Sequence, residues 1–388
     1  MKKKNIYIDY KIKNTSNYLG NSFPPLIYKY LLNVDSFNVF SLADRDLPSL
    51  DCIIIINGGS HWTYKDLNFK NIHKNQILKW IYPKFKKLLL VIGYLLSLRK
   101  IGFFSHHMYS NKSYEKHLNN LIQRNPKAKI IHRLDGIYQL IGKVYGYDAT
   151  IEKINKMSNL TVYQSKYSKK SWEKGTKTVF GKSTTLSPKH SVIINNGVDS
   201  SIFNTDGEKY NFKVKFPILN VSASPSPKKG LYRILELAEC LKENPDFHFF
   251  LIGKQKFDPI CGSEIQYFNN VSYLGEISDR IELSKYYKGA KIFMFPSEED
   301  CSPNVILEAM ACGLPILTVE SGGIPELINR NNKKAGVYID DSNPIMGLNN
   351  LLKFYETLSN NSLKLIKNNF NFDLTGQNYQ DEINKLIY

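Results

Sequence analysis

The chain is poor in cysteine. The five present, Cys52, Cys240, Cys261, Cys301 and Cys312, are scattered, odd in number and without C-x-x-C spacing. Neither a disulfide framework nor a zinc site is indicated. The start, MKKKNIYIDY, is basic but has no apolar signal core, so a cytoplasmic location is expected. The apolar run Leu88–Leu98 has eleven residues, against about 20 for a helix that crosses a bilayer. No zinc-ligand cluster, basic zipper or RNA-binding signature occurs, and no nucleic-acid partner is expected. Gly181-Lys182-Ser183 fails as a phosphate loop, because Gly175 lies one residue too far upstream and no buried strand precedes it. Asp44-Arg45-Asp46 has the spacing of a metal-binding triplet but lacks a preceding apolar strand run. It reads as a solvated loop, and neither a metal nor another cofactor is expected.

What is present suits a globular protein of two domains: 388 residues, 42% hydrophobic and 22% charged. The charge is uneven. Residues 1–200 hold 32 Lys and Arg against 12 Asp and Glu, a net +20, and residues 201–388 hold 20 against 23, a net −3. A basic half calls for an anionic partner, such as lipid headgroups or an acidic acceptor. Lys84–Lys100, KFKKLLLVIGYLLSLRK, reads either as a buried helix or as a segment seated in a membrane interface. Peripheral contact with the inner membrane face is therefore one expectation for the first half.

Strands are expected at Asn5–Asp9, Asp51–Asn57, Ile101–Ser105, Lys129–His132 and Leu160–Ser165 in the first half. Pro217–Ser222, His248–Gly253, Val271–Leu274 and Lys291–Phe295 are expected in the second. Runs such as CIIII within DCIIIIN and FFLI within HFFLIG are apolar, the mark of parallel strands buried on both faces. Composition changes after Asn196-Gly197, and the boundary is set near residue 205.

The richest stretch is Phe295–Ile328, FPSEEDCSPNVILEAMACGLPILTVESGGIPELI. Ser302 is the expected N-cap and Pro303 the first helical residue, with Gly313 and Pro315 ending the helix. Glu308 sits mid-helix among apolar residues, where an unpaired carboxylate costs several kcal/mol. It needs donors, either the ribose hydroxyls of a nucleotide or a Lys or Arg from elsewhere. The amides of Asn304, Val305 and Ile306 at the helix N-terminus suit a phosphate, and Asp300 adds a second carboxylate along the same cleft.

Asp300 and Glu308, followed by AMACGLP and SGGIPEL, resemble the E-x7-E signature of family four of the retaining glycosyltransferases, with Asp at the first position. VIINNGVDSSIF (192–203) is similar to that family's I-x-N-G-V-D-x-x-x-F segment. The resemblance implies the GT-B fold, an α/β class of two Rossmann-like domains with parallel sheets facing a central cleft: residues 1–204 for the acceptor, 205–370 for the nucleotide sugar, and a last helix, 371–388, returning to the first domain. It implies that Asp300 contacts the donor sugar, Glu308 the ribose, and Lys229 the diphosphate, with Ser224 where an Arg is usual and Lys228, or less well Arg233, in compensation. His132 and Asp135 in HRLDG are expected near the transferred group, with His106 and His107 weaker candidates. Gly20 is expected at the phosphates, Gly253 at the base, and Gly322 and Gly323 where a backbone must approach phosphate or base. The implied activity is metal-independent transfer of a sugar, with retention, from a nucleotide sugar to a glycan, lipid-linked or other polysaccharide acceptor. The rival readings are a nucleotide-sugar epimerase and a non-catalytic sugar-nucleotide or polysaccharide-binding protein.

Overall fold

The apolar runs become strands of two parallel sheets in the computed structural model of the chain. The structure describes residues 3–10, 12, 23–44, 46–56, 106–136, 146–177, 183–222, 229–254, 265–298 and 300–388. The expected strand 101–105, the segment 84–100, Gly20, Ser224 and Lys228 lie outside these residues.

The first sheet comprises β1 (Lys4–Ile8), β2 (Phe37–Ser41), β3 (Cys52–Ile56), β4 (Lys129–Leu134), β5 (Leu160–Tyr163) and β6 (Ser191–Ile193), in the order β2-β1-β3-β4-β5-β6. The strand β2 was not expected, and it places a strand directly before Asp44. That carboxylate nevertheless turns back to accept from the Ser41 N–H at 2.7 Å and closes a loop. The second sheet comprises β7 (Phe216–Val221), β8 (Phe247–Ile252), β9 (Val271–Gly275), β10 (Ile292–Phe295), β11 (Ile316–Thr318) and β12 (Gly336–Tyr338), in the order β9-β8-β7-β10-β11-β12. Every pairing within both sheets is parallel.

Parallel strands need crossovers, and helices supply them. In the first half these are α1 (Phe23–Leu32), α2 (His106–Arg124), α3 (Gly146–Lys156) and α4 (Lys166–Lys174). The second half has α5 (Leu231–Cys240), α6 (Arg280–Gly289), α7 (Asn304–Ala311), α8 (Ile324–Ile328), α9 (Pro344–Lys353) and α10 (Tyr355–Leu365). Among the described residues no helix is long and apolar enough to cross a membrane.

Strand order decides where a ligand can sit. In the second sheet the order reverses between β7 and β10, and in the first between β1 and β3; loops at the carboxyl ends of such strands diverge and leave a crevice. The last helix, α11 (Phe372–Ile387), leaves the second half and packs on the first sheet. Phe372, Tyr379 and Ile383 join the core of Ile6, Phe23 and Ile131, and the Phe23 and Tyr379 rings meet at 5.2 Å. The two crossing segments are tied by Val198 N–H to Phe370 O at 2.8 Å and Phe372 N–H to Val198 O at 3.0 Å. Gly197 has no room for a side chain there, since a Cβ would lie 2.6 Å from Thr375 Oγ1.

Ile383 is fully buried in that seam. Ile383→Ala is expected to destabilise the first half by about 2–5 kcal/mol, the usual range for such a truncation, read as a lower urea midpoint.

Candidate active site

At the crossing point of the second sheet, β7 ends at Val221 and β10 at Phe295, and Gly230 and Pro303 precede the helices that follow. Lys229 lies before the first of these helices and Asp300 before the second, and the structure brings them together. Lys229 Nζ is 2.9 Å from Asp300 Oδ1 and 2.7 Å from Oδ2, and Ser297 Oγ also donates to Oδ2. Lys229 lies 5.7 Å from the centre of the Phe295 ring. The two segments fit because Gly230, at φ 73°, has no Cβ; one would stand 2.1 Å from Pro296 O.

The helix α7 starts one residue later than the sequence suggested. Pro303 is the N-cap, with φ −69° and ψ 116° and no side-chain cap. Ser302 Oγ is instead buried with no hydrogen-bond partner among the described residues, as is Ser222 Oγ at the end of β7. Asn304 and Val305 begin the first turn, while Ile306 N–H already donates to Pro303 O at 3.2 Å. The expectation of three free amides is thus reduced at Ile306.

Glu308 is 3% exposed, and its donors come from the protein. Arg280 Nη2 donates to Oε1 and Tyr287 OH to Oε2 at 3.0 Å. Arg280 opens α6 and Tyr287 follows seven residues on, so both reach one face of that helix. The Arg280 guanidinium also lies 4.7 Å from the Phe203 ring centre. Burial and the neighbouring Glu308 hold the Tyr287 phenol well above its ordinary pKa, so it remains a donor. This corrects the argument that burial alone demands a guest: of the two partners weighed, the structure supplies the cation. That cation was invisible in sequence, because Arg280 is 28 residues away and looks like a solvated helix start.

Gly322 and Gly323 also have a different reason from the one expected. A Cβ at Gly322 would lie 2.3 Å from Asp300 O, and one at Gly323 1.9 Å from Cys301 O. Gly323 N–H donates to Asp300 O at 2.7 Å. The glycines let the loop after β11 lie flat on the Asp300 loop; the backbone they approach is protein. Gly253 ends β8, where its N–H donates to Gly275 O at 2.9 Å and its carbonyl accepts from Tyr273 OH at 2.5 Å. Arg233 turns away from Lys229: it is bound by Asp341 at 2.7 and 2.8 Å and by Glu298 at 3.0 Å. It lines an open cavity of about 660 Å³ with Glu320 and Ser321.

Across the cleft, His132 is not at its strand's end, since β4 continues to Leu134. Its ring is fully buried, with Nδ1 3.2 Å from Asn155 Nδ2, and Asn155 in turn bonds Thr161 at 2.8 Å. Strand alternation turns the neighbouring Arg133 to the opposite face. Asp135, just past the strand, does reach the edge. Its Oδ1 accepts from Arg133 Nη1 at 2.8 Å and Gln164 Nε2 at 2.9 Å. Gly136 beside it passes so close to Cys301 that a Cβ would stand 2.2 Å from the Sγ.

Three residues that sequence reasoning missed carry this edge over to the donor side. Arg133 Nη2 donates to Asn196 Oδ1 at 2.8 Å. Asn196 Nδ2 donates to Gln164 Oε1 at 2.9 Å, Asn304 Oδ1 at 2.9 Å and Ser302 O at 3.2 Å. The signal was available: Arg133, Gln164 and Asn196 are polar residues at the carboxyl ends of β4, β5 and β6, where open α/β sheets place ligand-facing groups.

Comparison with known proteins bears on the fold. The sequence profile of the family described as glycosyl transferases group 1 matches residues 203–372 of this chain. Among curated relatives, a probable sucrose-phosphate synthase of Thermosipho melanesiensis is 28% identical over 214 residues, 50% of this chain and 47% of that protein. The N,N'-diacetylbacillosaminyl-diphospho-undecaprenol alpha-1,3-N-acetylgalactosaminyltransferase of Campylobacter jejuni is 34% identical over 117 residues, 30% of each. The chain thus spans less than half the length of either. Among solved structures, the sucrose-phosphate synthase of Thermosynechococcus elongatus superposes with TM-score 0.64 at 13% identity, covering 99% of both chains. Anabaena HepE, in complex with UDP and glucose, gives 0.61 at 14% identity over 98% and 99%. These likenesses show the fold, which is GT-B.

Breaking the buried pair by Arg280→Leu strands the Glu308 charge, and a loss of about 3–5 kcal/mol is expected. Urea unfolding followed by circular dichroism measures it; a change under 1 kcal/mol contradicts the pairing.

Proposed function

We propose that the protein is a glycosyltransferase that binds a nucleotide sugar at the β7/β10 crossing point and transfers its sugar to an acceptor held on the first sheet. The observation that carries this reading is the meeting of Lys229 and Asp300 at that point, beside the first turn of α7, within the segment that the glycosyl transferases group 1 profile matches. The ion pair is partly exposed, its side chains 31% and 24%, and solvent screening holds such a pair to about 1 kcal/mol. An incoming diphosphate can therefore take Lys229 at little cost, leaving Asp300 to accept from hydroxyls of the donor sugar.

The first-turn amides of Asn304 and Val305 add positive potential at the diphosphate, and Ser302 Oγ, buried without a partner among the described residues, supports the reading as a further donor to it. Lysine and helix N-terminus together stabilise the departing charge, the kind of preorganised electrostatics that often dominates catalysis. On this basis the reaction runs without a bound metal. Glu308 uses one oxygen for Arg280 and one for Tyr287. A carboxylate offers about four acceptor positions, so the remaining ones serve the ribose.

The motif resemblance implies retention of configuration. The acceptor oxygen bonds the anomeric carbon, the bond from that carbon to the diphosphate breaks, and the acceptor's proton passes to the departing phosphate. Asp135 lies on the facing edge and is assigned to the acceptor or the transferred sugar; His132 has no part in this reading. The +20 charge of the first 200 residues suits an acidic or lipid-diphosphate-linked acceptor at a membrane surface.

A thermal-shift screen of UDP-, GDP-, ADP- and CMP-sugars identifies the donor, starting with UDP-glucose because the HepE complex contains UDP and glucose. Lys229→Ala and Asp300→Ala are each expected to lower donor hydrolysis or transfer by about 10²-fold or more. Turnover near wild type in both variants contradicts the assignment. Donor binding by calorimetry without turnover on any acceptor favours a binding protein instead, the alternative that Ser224 in place of an arginine raises.

A further inference from the structure

The donor-side loop that packs on Asp300 continues into α8, and its Glu326 leaves the second half altogether. Glu326 Oε1 accepts from the Tyr167 N–H at 2.6 Å and Oε2 from the Lys166 N–H at 2.8 Å. Lys166 and Tyr167 are the first two residues of α4, in the first half. The opening amides of a helix have no partner within it. Here the work is divided: Ser165, the N-cap, accepts from Ser168 N–H at 3.0 Å, and a carboxylate from the opposite half takes the two amides before it. An anion at a helix N-terminus is also favoured by the helix dipole, and bonds to an ionised acceptor are about twice as strong as neutral ones.

What each end of this contact holds gives it a consequence. On the first half, α4 grips the backbone of Asp135, with Ser168 Oγ and Trp172 Nε1 each donating to Asp135 O at 2.8 Å. On the second, the segment leading into α8 is fastened to Asp300 by the Gly323 N–H at 2.7 Å, and its two glycines leave no gap against Asp300 and Cys301. A rigid path therefore runs from Asp300 through Glu326 and α4 to Asp135. Two polar contacts flank it: Asn196 to Asn304 at 2.9 Å and Arg330 Nη1 to Asn195 Oδ1 at 2.9 Å.

We propose that Glu326 is a positioning residue that clamps the cleft shut by capping α4 from the opposite half, and so sets Asp135 against Asp300. The clamp stands on geometry alone; its effect on transfer rests on the glycosyltransferase reading. Glu326 lies inside the profile match and the SGGIPEL segment, but the resemblance assigns it no role, and the amides it caps belong to the other half.

The test uses the full chain with Glu326→Ala and Glu326→Gln, the second retaining one oxygen. Hydrogen exchange by mass spectrometry reads the amides of Lys166 and Tyr167 directly. They are expected to exchange at least about tenfold faster in the Ala variant, and less so in the Gln variant. In the transfer assay the Ala variant is expected to lose about 10- to 100-fold in kcat, the scale of a misplacement near 1 Å, with donor affinity within about twofold of wild type and partial rescue by Gln. Unchanged exchange in both variants overturns the clamp. Faster exchange with unchanged kcat overturns its positioning role. A wild type that transfers nothing while its α4 amides still respond to Glu326→Ala removes the glycosyltransferase reading and leaves the clamp standing.

Discussion

The pairing of Lys229 with Asp300 at the crossing point of the second sheet is the contact on which the remaining site geometry turns. The side chains are 31% and 24% exposed, so solvent screens them and the bond contributes little to stability. The other acidic residue of the same motif behaves differently. Glu308 and Arg280 are 3% and 10% exposed, and separating them costs several kcal/mol because a charge is stranded in a dry interior. Eight residues apart in sequence, one carboxylate is readily exchanged and the other belongs to the framework. That difference in burial separates a pair within reach of solvent from one enclosed in the core.

Side-chain amides make several of the contacts between the halves. Asn196 shares its side chain among Gln164, Asn304 and the Ser302 carbonyl, while Arg133 supports it from behind. Amides both donate and accept, so the same groups can bond one another when the edges touch and a polyhydroxylated guest when they part. The glycines at 136, 322 and 323 serve the same closeness, each lying where a Cβ would strike the facing or neighbouring chain. The site and the contact between the halves are thus built from the same segments, and α11 closes the circuit by returning to the first core.

Much of the fold was legible, for a simple reason. Parallel strands buried on both faces must be apolar throughout, so Cys52–Ile56, Phe247–Ile252 and Ile292–Phe295 announce themselves. The strand β2 was missed because FNVFS alternates burial and sits at the sheet edge. Lys229 and Asp300 were legible because their surroundings form a motif. His132 was misplaced because the strand end was set two residues early, so a residue inside β4 was read as one at its tip. Arg280 carried no signal, and Glu326, though inside SGGIPEL, gave none of its partner, since a helix-start arginine and a glutamate beside a proline look like surface residues until a fold gives them partners.

The linear chain settled by itself that there would be two parallel-sheet halves and where their loops would carry charge, because period, apolarity and local turn chemistry are properties of neighbours along the backbone. Folding in three dimensions decided whom each charge would meet: Glu308 with Arg280, Asp300 with Lys229, and Glu326 with a helix start 160 residues away. Such partnerships depend on desolvation and on distances across the packed molecule, and neither quantity exists before the chain has folded.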